Sequence, residues 1–265
     1  MEIHDETRRE IRNFALAHMV RTISATPAER EPFPHFIAHN IFPADIYREM
    51  LAQLPKASLY EAFAYEKHST EGASNRGRFQ LTNAKIDALA GRQRSLWLGI
   101  RDALGAPEFK AAVFSKLRAG LAFRFGVSEE QAAKVPGYPL PELFRETSGY
   151  MIKPHPDTRK KVVTMQIALP ADDSQKDLGT EFYRRSFNPL HLLREPRGFE
   201  VAKQPPFLPN VAYAFAVINA LTLKSWHGRT TLSGQVGVRN TILNIWYAEA
   251  AQANGDIVAQ FYKAA

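Results

Sequence analysis

Two histidines and one aspartate have the side-chain types and the spacing of a mononuclear metal site. His155 and Asp157 flank Pro156, and His227 lies 70 residues beyond the aspartate. Alternate residues of an extended chain point the same way, so a His-X-Asp tripeptide can direct both ligands to one ion. Two imidazoles and one carboxylate occupy one face of an octahedral ferrous ion and leave three positions open. The pattern therefore predicts an iron(II) centre at His155, Asp157 and His227.

Each part of this pattern also has a simpler alternative. Pro154 and Pro156 are compatible with a solvated loop around the tripeptide, and His227 is compatible with a capping or surface histidine. The surroundings favour the metal site. Tyr150-Met-Ile-Lys-Pro precedes the tripeptide, and residues 161–169, which are rich in β-branched side chains, follow it as a predicted strand.

Arg239 begins another predicted strand, twelve residues beyond His227. Strand alternation places Arg239 on the same face as Thr241, Leu243 and Ile245, so its guanidinium points towards the core. Burying that charge is costly unless an anion compensates it, and a carboxylate suits the planar guanidinium. The alternatives are an ion pair with a structural Asp or Glu, or a side chain that reaches solvent at the strand end.

Composition narrows the class of protein. The chain has 265 residues and no cysteine, which excludes disulfides, thiolate zinc sites, iron–sulfur clusters and cysteine nucleophiles. The charged start MEIHDETRREIRNF predicts no secretory signal, and no apolar run is long enough to cross a bilayer. We therefore expect a soluble, cytoplasmic protein without a membrane partner. The sequence does not indicate an oligomeric state.

The net charge of +7 is spread along the chain. A scattered excess of Lys and Arg can attract an anionic substrate, whereas a nucleic-acid-binding protein typically concentrates its basic residues on one face. The charge pattern therefore favours an enzyme with a polar or anionic substrate over a nucleic-acid-binding protein.

Hydrophobic periodicity predicts helices in the first part of the chain and strands in the later part. The predicted fold class is mainly β with N-terminal helices (α+β), in one domain over residues 1–265. Residues 1–145 form its mainly helical support layer and residues 146–250 its jelly-roll core. The predicted helices cover residues 5–24, 44–54, 83–104 and 107–125, the predicted strands 161–169, 211–218 and 238–247, and a loop-rich stretch 171–210.

Several segments together resemble the 2-oxoglutarate/Fe(II)-dependent dioxygenase superfamily, in particular its prolyl-hydroxylase-like branch. PFPHFIAHNIFPADIYREMLAQLP resembles the opening strand and helix of that family, and GYMIKPHPDTRKKVVTMQIALP with DLGTEFY resembles its first metal-ligand region. SWHGR and RNTILNIWY resemble its distal histidine and co-substrate arginine segments. The resemblance covers most of the chain.

The resemblance implies a double-stranded β-helix, or jelly roll, of cupin-like architecture. His155, Asp157 and His227 would bind Fe(II), and Arg239 would hold the distal carboxylate of 2-oxoglutarate. The implied reaction consumes 2-oxoglutarate and O₂, releases succinate and CO₂, and hydroxylates an unactivated C–H bond. Halogenases of the family replace the carboxylate ligand by a small residue. Asp157 therefore implies hydroxylation, with desaturation and ring closure as alternatives.

Further candidate residues follow from strand alternation and from the loops. Thr164 and Gln166 share one face of a predicted strand and would contact the co-substrate, or else be ordinary interior polar residues. Many family members have a tyrosine where this chain has Ala168, and Tyr150 is an alternative co-substrate contact. The remaining candidates, for an anionic substrate, are Arg76, Arg78 and His191, and their alternative is a solvated surface position.

The sequence leaves three functions open. The first is hydroxylation of a small polar molecule, such as an amino acid or a biosynthetic intermediate. The second is hydroxylation of a protein side chain of the prolyl type. The third is a non-catalytic jelly-roll binding protein with a coincidental triad.

Overall fold

Two antiparallel β-sheets and a layer of helices make up the protein. The computed structural model describes residues 2–63, 75–230, 232 and 237–262, with the backbone alone for residues 2–4. The strands within these ranges are β1 (Ala28–Glu29), β2 (His35–Ala38), β3 (Glu61–Ala62), β4 (Arg76–Gln80), β5 (Tyr138–Glu146), β6 (Ile152–His155), β7 (Lys161–Ala168), β8 (Glu181–Arg185), β9 (Phe199–Lys203), β10 (Ala212–Ala216), β11 (His227–Arg229) and β12 (Arg239–Tyr247).

The larger sheet has the order β1-β2-β10-β7-β12-β5-β4-β3, and the smaller sheet has the order β6-β11-β8-β9. All neighbouring strands pair antiparallel. Consecutive strands often belong to different sheets, so chain segments far apart in sequence meet at one site. The predicted α+β class is confirmed, with antiparallel sheets.

Most helices precede β5 in the chain. They are α1 (Glu2–Ala25), α2 (Ala44–Ala52), α3 (Asn83–Ile86), α4 (Gly91–Gly105), α5 (Pro107–Lys116), α6 (Arg118–Phe125), α7 (Glu129–Ala132), α8 (Pro189–Leu193) and α9 (Gly255–Phe261). No helix among the described residues combines the length and the apolar character needed to cross a bilayer.

The helical layer packs on β12 through large apolar side chains. Phe109 and Phe114 of α5 each lie 5.9 Å from Trp246 between ring centroids, and all three rings are buried. Burial of aromatic side chains of this size contributes roughly 2 kcal/mol each. The amide of Asn244 also donates to the carbonyl of Leu104 at 3.1 Å. These contacts hold one face of β12 in place. Arg239 lies on the opposite face of the same strand.

The predicted strands at 161–169, 211–218 and 238–247 are confirmed as β7, β10 and β12. The predicted helix at 83–104 is two helices, α3 and α4, and that at 107–125 is α5 and α6. The loop-rich description of 171–210 was wrong, since β8, α8 and β9 lie within it.

Strand β5 was not predicted, because Pro139 and Pro141 lie inside it. Proline lacks the N–H group that a central strand needs, and it therefore argues against a strand. In the structure β4 pairs only with residues 142–146 of β5, so both prolines lie where β5 has no ladder partner on that side. The strand is central at its C-terminal end, where Glu146 lies, and is an edge at its start.

Candidate metal centre

The predicted metal ligands meet on two paired strands of the smaller sheet. His155 ends β6, His227 begins β11, and the two residues are direct partners in the ladder. Their ring centroids are 4.4 Å apart. One ligand atom each from His155, Asp157 and His227 lies within 4.8 Å of the others. The structure therefore brings the three residues together as one potential metal site.

Each imidazole is oriented by the backbone carbonyl two residues before it. The Nδ1 of His155 donates to the carbonyl of Lys153 at 2.9 Å, and that of His227 donates to the carbonyl of Ser225 at 3.0 Å. A hydrogen bond of this kind fixes the tautomer and makes Nε2 the metal-binding nitrogen. The Nε2 of His227 lies 3.8 Å from Oδ2 of Asp157.

The carboxylate of Asp157 is buried and held from two sides. Lys161 donates to Oδ1, and Thr164 donates to Oδ2 at 2.7 Å. Burial alone would raise the pKa of Asp157, but Lys161 and the two imidazoles hold that pKa well below its usual range. Asp157 is therefore an anion at neutral pH, as a metal ligand must be. Lys161 was not predicted as a site residue, although it lies four positions after Asp157.

Burial and the neighbouring His227 lower the pKa of His155 to about 4. Burial also lowers the pKa of His227. Both imidazoles are consequently neutral at pH 7, which is the protonation state that binds a metal ion.

Acid is expected to destabilise the metal-free protein through His155. The pKa of His155 is about 4 in the folded chain, and about 6.5 is usual in an unfolded one. Between these values the unfolded state binds more protons, so the free energy of unfolding falls as the pH decreases from about 6.5 to about 4. Chemical denaturation of the metal-free protein at a series of pH values measures this slope. His155→Asn is expected to make the slope shallower; an unchanged slope would contradict the expectation.

Arg239 is buried in a row of charges that crosses three adjacent strands. Glu146 of β5 lies directly opposite Arg239 of β12 on one side and Arg76 of β4 on the other. Arg239 Nη1 donates to Oε2 of Glu146, and Nε of Arg76 lies 3.0 Å from Oε1. The structural carboxylate that the sequence left as an alternative partner for Arg239 is therefore Glu146.

The other two nitrogens of Arg239 also donate to the protein. Nε donates to the carbonyl of Leu178 at 2.9 Å, and Nη2 donates to Oε1 of Gln166 at 3.2 Å. The same oxygen of Gln166 accepts from Tyr213 at 2.5 Å and from Thr180 at 2.9 Å. The guanidinium also stacks on Phe207, 4.3 Å from the ring centroid. Arg239 is thus held rigidly on all sides.

A second buried arginine, Arg229, lies two residues after His227. Its Nη1 donates to the carbonyl of Gly179, and its Nε is buried without a hydrogen-bond partner among the described residues. Burial and the neighbouring Arg239 lower the pKa of Arg229 to about 10, so it is still a cation at neutral pH. The sequence analysis missed Arg229, although strand alternation places it on the same side of β11 as His227.

A small inner cavity of about 90 Å³ adjoins the triad. Thr164, Gln166 and Tyr150, which the sequence predicted as co-substrate contacts, all line it. Among the described residues that line it are four cationic side chains and two anionic ones, an excess of two positive charges. The cations are Arg76, Lys161, Arg229 and Arg239, and the anions are Glu146 and Asp157.

A larger outer cavity of about 500 Å³ opens on His155 and Asp157. Arg78 lines it and faces the buried Glu142, with Nη1 at 3.7 Å from the carboxylate. Burial raises the pKa of Glu142, although Arg78 opposes this. Aromatic and aliphatic side chains form most of the remaining wall, among them Phe63, Leu140, Phe144, Met151, Ile245 and Tyr247.

The predicted substrate residues are only partly brought together. Arg76 and Arg78 line the outer cavity, and Arg76 stacks on Phe144 at 3.9 Å from the ring centroid. His191 lies instead on α8, where its Nδ1 hydrogen-bonds to Ser186 at 2.7 Å. Among the described residues that line the two cavities, His191 is absent.

No protein-family model matches this sequence, and no curated protein is significantly similar to it. Solved structures are similar in fold. A prolyl-4-hydroxylase from Pseudomonas putida has a TM-score of 0.50 and 10% identity, with coverage of 88% of this chain and 99% of that chain. The dioxygenase for auxin oxidation 1 from Arabidopsis thaliana, in complex with 2-oxoglutarate, has a TM-score of 0.45 and 13% identity, with coverage of 93% and 88%.

The similarity to the Pseudomonas putida enzyme extends over nearly the whole of that chain. The fold of this chain is therefore similar to that of a prolyl-4-hydroxylase, in agreement with the fold that its sequence motifs predicted.

Proposed function

We propose that the protein is an Fe(II)- and 2-oxoglutarate-dependent oxygenase that hydroxylates an unactivated C–H bond and releases succinate and CO₂. The observation that carries this proposal is the group of His155, Asp157 and His227, whose ligand atoms lie within 4.8 Å of one another. We place the reaction in a single domain, with the two sheets as the halves of a double-stranded β-helix. In a non-catalytic binding protein, nothing would require the Nε2 atoms of both histidines to face the same position.

The donor set fits iron(II). Two neutral imidazoles and one carboxylate are the ligands of non-haem iron sites that keep positions open. The backbone carbonyls of Lys153 and Ser225 orient the rings, while Thr164 and Lys161 orient the carboxylate. When bound, the iron supplies the O₂ chemistry, and the chain supplies position and charge. Since Asp157 retains its carboxylate, hydroxylation is the proposed outcome rather than halogenation.

The inner cavity is the proposed site of 2-oxoglutarate. The excess of two positive charges among the lining residues that the structure describes complements a dianion. Arg239 contributes its charge and is fixed by Glu146 and Gln166. Thr164 and Gln166 act mainly through Asp157 and Arg239, and the half-buried Tyr150 also lines the cavity.

The outer cavity is the proposed site of a small polar substrate. Its volume of about 500 Å³ is in the range of small-molecule sites. Arg78 and Glu142 present opposite charges at one wall, and apolar side chains form most of the remainder. This arrangement suits an amino acid whose carboxylate contacts Arg78 and whose ammonium contacts Glu142. The target C–H bond would then face His155 and Asp157.

A second candidate keeps the chemistry and changes the substrate to a peptidyl proline. It is favoured by the similarity in fold to a prolyl-4-hydroxylase. A substrate screen that includes free amino acids and proline-containing peptides, with succinate release as the measurement, decides between the two.

Anaerobic reconstitution with Fe(II) and 2-oxoglutarate tests the proposed reaction. A weak visible metal-to-ligand charge-transfer band is expected when both are present and not with either alone, because the 2-oxo acid must chelate the bound metal. Addition of O₂ should then remove the band and yield succinate. Absence of the band in folded protein would contradict the proposal.

A further inference from the structure

Arg229 is a buried cation that forms no ion pair at contact distance with a described carboxylate, although Glu181 and Glu146 stabilise its charge from farther away. The side chain is in the interior, with the residue 6% exposed, and no described carboxylate lies within ion-pair distance of it. Glu181 lies on the neighbouring strand β8, but its carboxylate accepts from Thr230 and Tyr183 instead. A buried guanidinium that no carboxylate contacts directly is costly, and an anionic ligand in the cavity would compensate that cost.

The backbone of β11 directs this charge into the inner cavity. His227 and Arg229 alternate with Gly228, and both line the cavity. A Cβ atom on Gly228 would lie 2.6 Å from the carbonyl oxygen of Ile152, so glycine is needed for the close approach of β11 to β6. The His-Gly-Arg sequence thus places a metal ligand and a guanidinium side by side.

The two arginines of the cavity differ in their donors. Arg239 uses Nε, Nη1 and Nη2 for Leu178, Glu146 and Gln166. Arg229 has only the carbonyl of Gly179 as a partner for Nη1, and its buried Nε has none among the described residues. A guanidinium has five N–H groups, and the described residues accept from three of them in Arg239 but from one in Arg229. Arg229 therefore has more N–H groups available to a ligand carboxylate than Arg239 has.

We propose that Arg229 binds the remote carboxylate of the 2-oxo dicarboxylate co-substrate directly, while Arg239 is a positioning residue that supplies charge and a fixed wall. This inference rests on the proposed function and departs from the role that the sequence resemblance gives to Arg239. It predicts that the preference for a dicarboxylate over a monocarboxylate of equal chain length depends on Arg229.

The test compares 2-oxoglutarate with 2-oxovalerate, which has a methyl group in place of the remote carboxylate. Calorimetric titration of nickel-loaded protein measures both affinities without turnover. In Arg229→Met, the 2-oxoglutarate affinity is expected to fall about 100-fold. The affinities for 2-oxovalerate and for nickel should change less than about threefold, since neither ligand contacts Arg229. Arg184→Met, which removes an exposed arginine paired with Glu200, is the matched control and should change neither affinity.

Unchanged discrimination in folded Arg229→Met would overturn the inference and leave the proposed function intact. If the wild-type protein binds nickel but neither 2-oxo acid, the proposed function fails as well. Should Arg229→Met not fold, Arg229→Lys decides. It keeps the charge but not the planar fork, so a loss of about tenfold is expected, and no loss would overturn the inference.

Discussion

Replacing His227 by alanine is expected to lower the iron(II) affinity by about 1,000-fold or more and to abolish the charge-transfer band. In the proposed site His227 would supply one of the three ligand atoms, from a different strand than His155, and its Nε2 lies 3.8 Å from Oδ2 of Asp157. The remaining pair would come from one tripeptide and cannot enclose the ion. Anaerobic titration with Fe(II) in the presence of 2-oxoglutarate, followed at visible wavelengths, measures the loss.

The control for this variant is His191→Ala. His191 is a histidine of the smaller-sheet region, but it contacts Ser186 and Glu200 rather than the triad. Its removal is expected to leave the band unchanged. A band of wild-type intensity in folded His227→Ala would show that the iron is bound elsewhere.

The second large effect is on stability. Arg239→Met is expected to lower the free energy of unfolding by about 3–5 kcal/mol, because it leaves Glu146 as a buried carboxylate with Arg76 alone. The midpoint of thermal unfolding should fall by about 10 °C. Thermal denaturation of the metal-free protein is the measurement, so that loss of ligand binding does not contribute.

Arg229→Met provides the comparison. Since no described carboxylate pairs with Arg229, removal of its charge should leave the stability of the metal-free protein unchanged or raise it. Equal losses of stability in the two variants would mean that Arg229, like Arg239, is part of the structural ion-pair network.

The triad could be predicted from the sequence because its pattern depends mainly on residues that are close together in the chain. A His-X-Asp tripeptide needs only strand alternation to present two ligands, and the surrounding strands have clear β-branched patterns. The same alternation placed Thr164 and Gln166 on the cavity side of β7, where both lie.

The charge network could not be predicted, because it depends on which strands are neighbours. Arg239 and Glu146 are 93 residues apart, and they meet only because β12 pairs with β5 in one register. Because β5 contains prolines, the sequence did not predict this strand, and Glu146 could not be assigned as the partner of Arg239. Arg229 was missed for a related reason: whether a buried arginine is paired depends on the carboxylates of other strands.

Each imidazole of the triad is held by the backbone carbonyl two residues before it, so the ligand geometry exists before any ion binds. A rigid pair of nitrogens with one carboxylate oxygen follows the general order of divalent affinities, in which nickel and copper bind more tightly than ferrous iron. The identity of the ion in a purified sample therefore depends on the metal supply of the host and the handling buffers. Trace nickel or copper is therefore expected to inhibit the protein. Treatment with a chelator, followed by excess ferrous salt, should relieve that inhibition.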